Sequence, residues 1–255
     1  MERLIKVLAG AAIALALASG GDAPKKHNLE ARVEARDGVE FLGTENKMIS
    51  DALASVSAYD LNLDVHFIKH QEDEQTGGRT YSNLGSKQQD TEDFIASFGK
   101  EKYEQLKGKD VITLSGFEFY EKNIVSSSTS LWDSLYLKNP DAETLYQRAV
   151  LHELGHIVFN KISDKKLQDR LVDIDIESGA GKKDGMKHPA HTSYYTYFYC
   201  GFDEMSDELR EKSASEQFAD IFALTHMGKI DENVADKELG QKIKLVKESL
   251  QRYKK

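Results

Sequence analysis

The chain has 255 residues, 40% of them hydrophobic and 30% charged, with only three prolines, a composition that suits a globular protein with ample core and excludes a disordered or fibrous one. A formal net charge of −9, with no basic stripe of interleaved aromatics, argues against nucleic acid as a partner. Cys200 is the only cysteine, so an intrachain disulfide, a Cys-based zinc knuckle and a CxxC redox pair are all excluded, and any metal must be held by His, Asp or Glu.

The first stretch, "MERLIKVLAGAAIALALASGGDA", sets Arg3 and Lys6 ahead of an uncharged run from Val7 to Ser19 and closes on small residues. That is the layout of a secretory signal peptide, expected over residues 1–21, with Ala16 and Ala18 as the A-x-A of a cleavage site. The apolar run is too short to span a bilayer comfortably, and Gly20 and Gly21 stand where a lipoprotein would carry its cysteine. The expectation is a secreted or periplasmic protein with no stable membrane association once the signal is cleaved. Residues 22–40 are polar and lysine-rich, as in a linker or arm, and the folded domain is expected over 41–255.

Residues 46–60 ("NKMISDALASVSAYD") space Met48, Ile49, Leu53 and Val56 as a helix does, and 61–70 ("LNLDVHFIKH") alternate Leu61, Leu63, Val65 and Phe67 as a half-buried strand does. "QEDEQTGGRT" is a polar turn, and "GGRTYSNLGS", residues 77–86, reads as an edge strand or as a turn marked by its glycines. Residues 110–123 ("DVITLSGFEFYEKN") are rich in β-formers, with an interruption at Gly116, and predict a strand. "SSSTS", 126–130, is a loop. A helix follows, with Asn139 as N-cap, Pro140 at its first position and Asp141 and Glu143 in its first turn, running through "TLYQRAVLHELGHIVFN". Residues 161–185 have weak periodicity and read as a surface excursion; 188–202 form an aromatic cluster; 213–228 predict a helix, and 237–255 a solvated amphipathic one. Strands followed by helices point to an α+β domain with a small mixed sheet.

"AVLHELGHIVFN" carries the chemistry. On a helix each residue advances about 100°, so His152 and His156 point the same way one turn apart and can bind one ion through ring nitrogens. Val150, Leu151, Leu154, Ile157 and Val158 anchor the opposite arc, Gly155 leaves room for close packing, and Glu153 can reach a metal-bound water. A catalytic zinc site needs a third protein ligand and an open position. Glu216 in "SEQFADIF" is the leading candidate, with Asp220 one turn on as the carboxylate that fixes a ligand histidine. Ala219 and Ala223 on the same face would let two helices approach. Alternatively, Ser213-x-x-Glu216 is a capping box, and the third ligand is His188, His191 or Asp220.

"HELGH" followed far downstream by "SEQFADIFAL" resembles the gluzincin metallopeptidases, and within them the anthrax-lethal-factor-type domain. In that family the second helix reads Glu-x-Phe-Ala-(Glu/Asp)-x-Phe, matched here by Glu216, Phe218, Ala219, Asp220 and Phe222. The resemblance covers the two helices, about a quarter of the chain. It implies a zincin-like metallopeptidase domain in which the HExxH helix packs near the glutamate-bearing helix, Zn2+ as cofactor, and a tyrosine ahead of that second helix to stabilise the oxyanion. "SDELREKSAS" holds no tyrosine, which turns that role to Tyr199 and Tyr197, ahead of Tyr195 and Tyr194.

The implied reaction is hydrolysis of a peptide bond by a zinc-activated water, with Glu153 as general base and then as proton donor to the leaving nitrogen. The substrate would be a peptide or protein, lying as an added strand along a sheet edge. The rival reading is a non-catalytic secreted metal-binding or toxin-accessory module, in which Glu153 has no task. Oligomeric state is left open.

Overall fold

The computed structural model describes residues 30–34, 41, 43–69, 77–121, 137, 140–178, 206–231, 233 and 237–255. The signal-peptide expectation, the aromatic cluster with Tyr194, Tyr195, Tyr197 and Tyr199, and both His188 and His191 lie outside them.

Four strands form one sheet: β1 (Glu30–Glu34), β2 (Asp64–Lys69), β3 (Gly78–Tyr81) and β4 (Asp110–Leu114), in the order β1-β2-β4-β3. The first three positions run parallel and β3 lies antiparallel on β4. Seven named helices accompany it among the described residues: α1 (Gly43–Val56), α2 (Gln88–Phe98), α3 (Lys100–Leu106), α4 (Ala142–Ile162), α5 (Lys165–Ser178), α6 (Asp207–His226) and α7 (Lys237–Gln251). The mixed α and β content and the mixed sheet agree with the α+β expectation. No helix among the described residues is long and apolar enough to cross a membrane.

The pleat sends alternate side chains into two separate cores. Val65, Phe67, Ile112 and Leu114 join α1, α4, α5, α6 and α7 in the larger one. Ile68, Val111 and Tyr81 join Phe94, Tyr103 and Leu106 of α2 and α3 in the smaller. The strand read as half-buried is therefore covered on both faces, because α2 and α3 roof the side that alternation alone assigns to water. β3 is an edge strand, as one reading of its sequence expected.

Several boundaries differ. The linker-or-arm expectation for 22–40 is corrected over Glu30–Glu34, whose backbone pairs with β2. The strand expected over 110–123 stops at Leu114, and residues 117–121 turn helical, with Phe117 N–H donating to Glu45 Oε1 at 2.6 Å. The surface excursion is corrected over Lys165–Ser178, a helix that buries Leu167, Leu171, Val172 and Ile174. Of its acidic residues, Asp169 and Asp173 bond Arg210 of α6 at 3.3 and 2.6 Å, and Asp175 is wholly buried against Lys242 of α7. That pair also makes α7 less solvated than its lysine content suggests.

Candidate metal centre

α4 is the central helix. Its buried residues, among them Tyr146, Val150, Leu151, Leu154, Ile157 and Val158, surround most of its circumference, as expected of a helix packed between a sheet and other helices. Its start is two residues later than the sequence suggested. Asp141, in extended conformation, is the N-cap, and its carboxylate accepts a hydrogen bond from Thr144 N–H at 2.8 Å.

α6 crosses α4 where both have almost no side chain. A Cβ added at Gly155 would stand 2.8 Å from Ala219 Cα, so the two backbones are as near as a glycine allows. α6 itself begins at Asp207, with Ser206 Oγ accepting from Leu209 N–H. Glu216 is therefore more than two turns inside the helix and the capping-box alternative fails; Ser213 instead accepts from Gln217 Nε2 at 3.0 Å.

The crossing brings His152, His156 and Glu216 together, each offering one ligand atom within 4.8 Å of the others. The two Nε2 atoms are 3.1 Å apart, His152 Nε2 is 3.5 Å from Glu216 Oε2, and His156 Nε2 is 3.8 Å from Glu216 Oε1. A tetrahedral ion with bonds of about 2.0–2.1 Å separates its ligand atoms by roughly 3.4 Å, close to the 3.1 Å between the two Nε2 atoms and the 3.5 Å from His152 Nε2 to Glu216 Oε2. The donor set fits as well: two imidazole nitrogens and a carboxylate suit zinc and leave room for a fourth partner.

The rings are held from behind. His152 Nδ1 is 2.8 Å from Asp220 Oδ1, and Arg148 Nη2 donates to the same oxygen at 2.9 Å, with Asp220 wholly buried. With Nε2 as the metal-facing atom, His156 Nδ1 carries the hydrogen and donates to Ser215 Oγ at 2.8 Å. The electrostatics of the metal-free cluster follow from these contacts. Burial opposes the charged form of His152, yet Asp220 and Glu216 hold its pKa up to about 10. Burial pushes His156 below its ordinary value, with the neighbouring charge of His152 adding to it against the opposite pull of Glu216. Burial works against the Glu216 carboxylate too, but the two histidines keep its pKa below the usual range.

Glu153, 8% exposed, reaches the edge strand β3. Thr80 Oγ1 lies 2.7 Å from Glu153 Oε2 and 2.9 Å from its backbone carbonyl oxygen. A Cβ on Gly78 would meet Glu153 Cγ at 2.9 Å. Gly77 is equally confined: its carbonyl accepts from Tyr120 Oη at 2.6 Å and from Ser115 N–H at 3.1 Å. The paired glycines therefore serve close approach rather than only a turn.

Of the residues expected from sequence, His152, His156, Glu216 and Asp220 meet in one place, with Glu153 beside them. Tyr197 and Tyr199 lie outside the described residues. Arg148, Ser215 and Thr80 were not anticipated. Arg148 precedes His152 by one helical turn and Ser215 adjoins Glu216, so spacing could have suggested both; Thr80 has no such signal, being 73 residues from Glu153 in the chain. Compared with known protein families, curated proteins and solved structures, the chain matches none.

Proposed function

We propose that the chain is a secreted zinc-dependent endopeptidase of the gluzincin type with a zincin-like domain. The observation that carries this reading is the convergence of His152, His156 and Glu216 from two crossing helices, with a carboxylate, Glu153, one residue along from the first ligand and turned toward an edge strand. Zinc held by those three residues would supply Lewis acidity toward a peptide carbonyl and toward water.

The chain's own residues do the rest. Glu153 takes a proton from the attacking water and returns it to the leaving amide nitrogen. Asp220 and Ser215 fix the two imidazoles so that their Nε2 atoms would be the ones to hold an ion, and Arg148 holds Asp220. Among the described residues no strand pairs with the outer edge of β3, and an extended peptide is proposed to add there as a strand beside Glu153, which would select an unfolded or loop substrate over a rigid one. Tyr199 or Tyr197 is proposed to stabilise the oxyanion.

The test is zinc content and peptide-library cleavage for wild type, Glu216→Ala and Glu153→Gln. The expected result is one zinc in wild type and Glu153→Gln, its loss in Glu216→Ala, and cleavage by wild type alone. Cleavage that survives Glu153→Gln overturns the general-base assignment. Zinc without cleavage in wild type favours the metal-binding module instead.

A further inference from the structure

We infer that Thr80, on edge strand β3, is the positioning residue for Glu153, an inference that rests on the peptidase reading above. A general base must be held to a fraction of an ångström, because a misplacement of about 1 Å can lower the rate roughly 100-fold. A glutamate has three side-chain torsions, and the helix that carries Glu153 fixes only its Cα.

The structure supplies the remaining constraint from the sheet. Thr80 Oγ1 is within hydrogen-bonding distance of both Glu153 Oε2, at 2.7 Å, and Glu153 O, at 2.9 Å. The hydroxyl's single proton is shared between two acceptors of the same residue, the carboxylate being the nearer, which limits the side chain's direction relative to α4. Gly78, two residues earlier on the same face of β3, removes the side chain that would otherwise press on Glu153 Cγ at 2.9 Å and Oε1 at 3.0 Å. The hydroxyl holds one flank of the carboxylate and the bare glycine leaves space at the other.

β3 is itself held in register. Its antiparallel pairing sets Thr80 opposite Ile112, Arg79 reaches across to Asp93 at 2.6 Å, and Thr113 Oγ1 donates to Arg79 O at 3.2 Å. Arg79 and Tyr81 face α2 while Gly78 and Thr80 face α4, so a one-residue slip would replace the hydroxyl with an arginine or a tyrosine. The strand proposed to receive substrate is therefore also the strand that aims the base.

The experiment compares Thr80→Val, which keeps the shape and loses the hydroxyl, with Thr80→Ser, which keeps it. Expected for Thr80→Val are a full zinc content, KM within about twofold of wild type and kcat lowered about 10-fold or more, with Thr80→Ser within about threefold throughout. A readout independent of metal and activity is a double-mutant cycle of Thr80→Val and Glu153→Gln in urea unfolding of the metal-free protein. The two single losses are expected to exceed the loss in the double variant when combined, by about threefold or more in the unfolding constant. Additive losses, an unchanged kcat in Thr80→Val, or equal losses in Thr80→Val and Thr80→Ser overturn the inference. Coupling without any cleavage by wild type overturns the peptidase reading, and the catalytic role of Thr80 falls with it.

Discussion

Asp220 has no exposed surface and meets a histidine ring and a guanidinium at one oxygen. It orients His152 while Arg148 offsets its charge, so Asp220→Asn is expected to weaken zinc binding by about 10- to 100-fold, measured by competition with a chromophoric chelator. The same titration carries a pH signature. In the metal-free protein Asp220 and Glu216 outweigh burial and hold the His152 pKa up to about 10, above its unfolded value, so zinc must displace a proton at neutral pH. Affinity should therefore rise with pH up to about 10, and uptake at pH 7 should release protons into a weakly buffered solution; an affinity independent of pH would contradict it. Residues on a common helical face were legible from sequence, because a spacing of four fixes their mutual direction whatever the fold, as with His152 and His156 or Glu216 and Asp220. Thr80 was not, because its role depends on a strand register that no local pattern encodes.

The crossing of α4 and α6 depends on Gly155. An alanine there gains up to about 1 kcal/mol of helix propensity but meets the Ala219 backbone rather than a movable side chain. Overpacking of this kind costs about 1–3 kcal/mol, so Gly155→Ala is expected to be net destabilising in urea unfolding and to weaken zinc binding by moving Glu216 away from the histidines. Equal stability with equal affinity would show that the helices are not in contact there. Elements with strong periodicity were legible as types, and their ends were not: Asp141 displaced Asn139 as the cap because its carboxylate reaches Thr144 N–H. α5 was missed because its polar residues mask a four-residue repeat of Leu167, Leu171 and Asp175 in which the third member is an acid. Asp175 belongs to the buried face only because Lys242 comes to meet it from a helix far away in sequence.

At the level of the whole molecule, that ion pair joins α5 to α7 with both side chains inaccessible to water. Lys242→Met leaves a buried carboxylate without its lysine and is expected to cost about 3–5 kcal/mol, whereas Lys242→Met with Asp175→Leu should be near neutral or up to about 4 kcal/mol stabilising. Urea midpoints of the single and double variants distinguish this from a surface pair, for which all would match wild type. The mixed α and β content was legible from periodicity, but strands and helices alternate up to β4 rather than follow one another, and neither α2 and α3 nor the core beneath them was legible, since that core arises from what covers the sheet. The two ligand-bearing helices also have a topological meaning. His156 and Glu216 are about 60 residues apart along the chain, so an ion binding both closes a long loop and restricts the unfolded ensemble much as a cross-link does. A chain with one cysteine has no disulfide to do this, and at the α4–α6 crossing the fastening would be one that a chelator can undo.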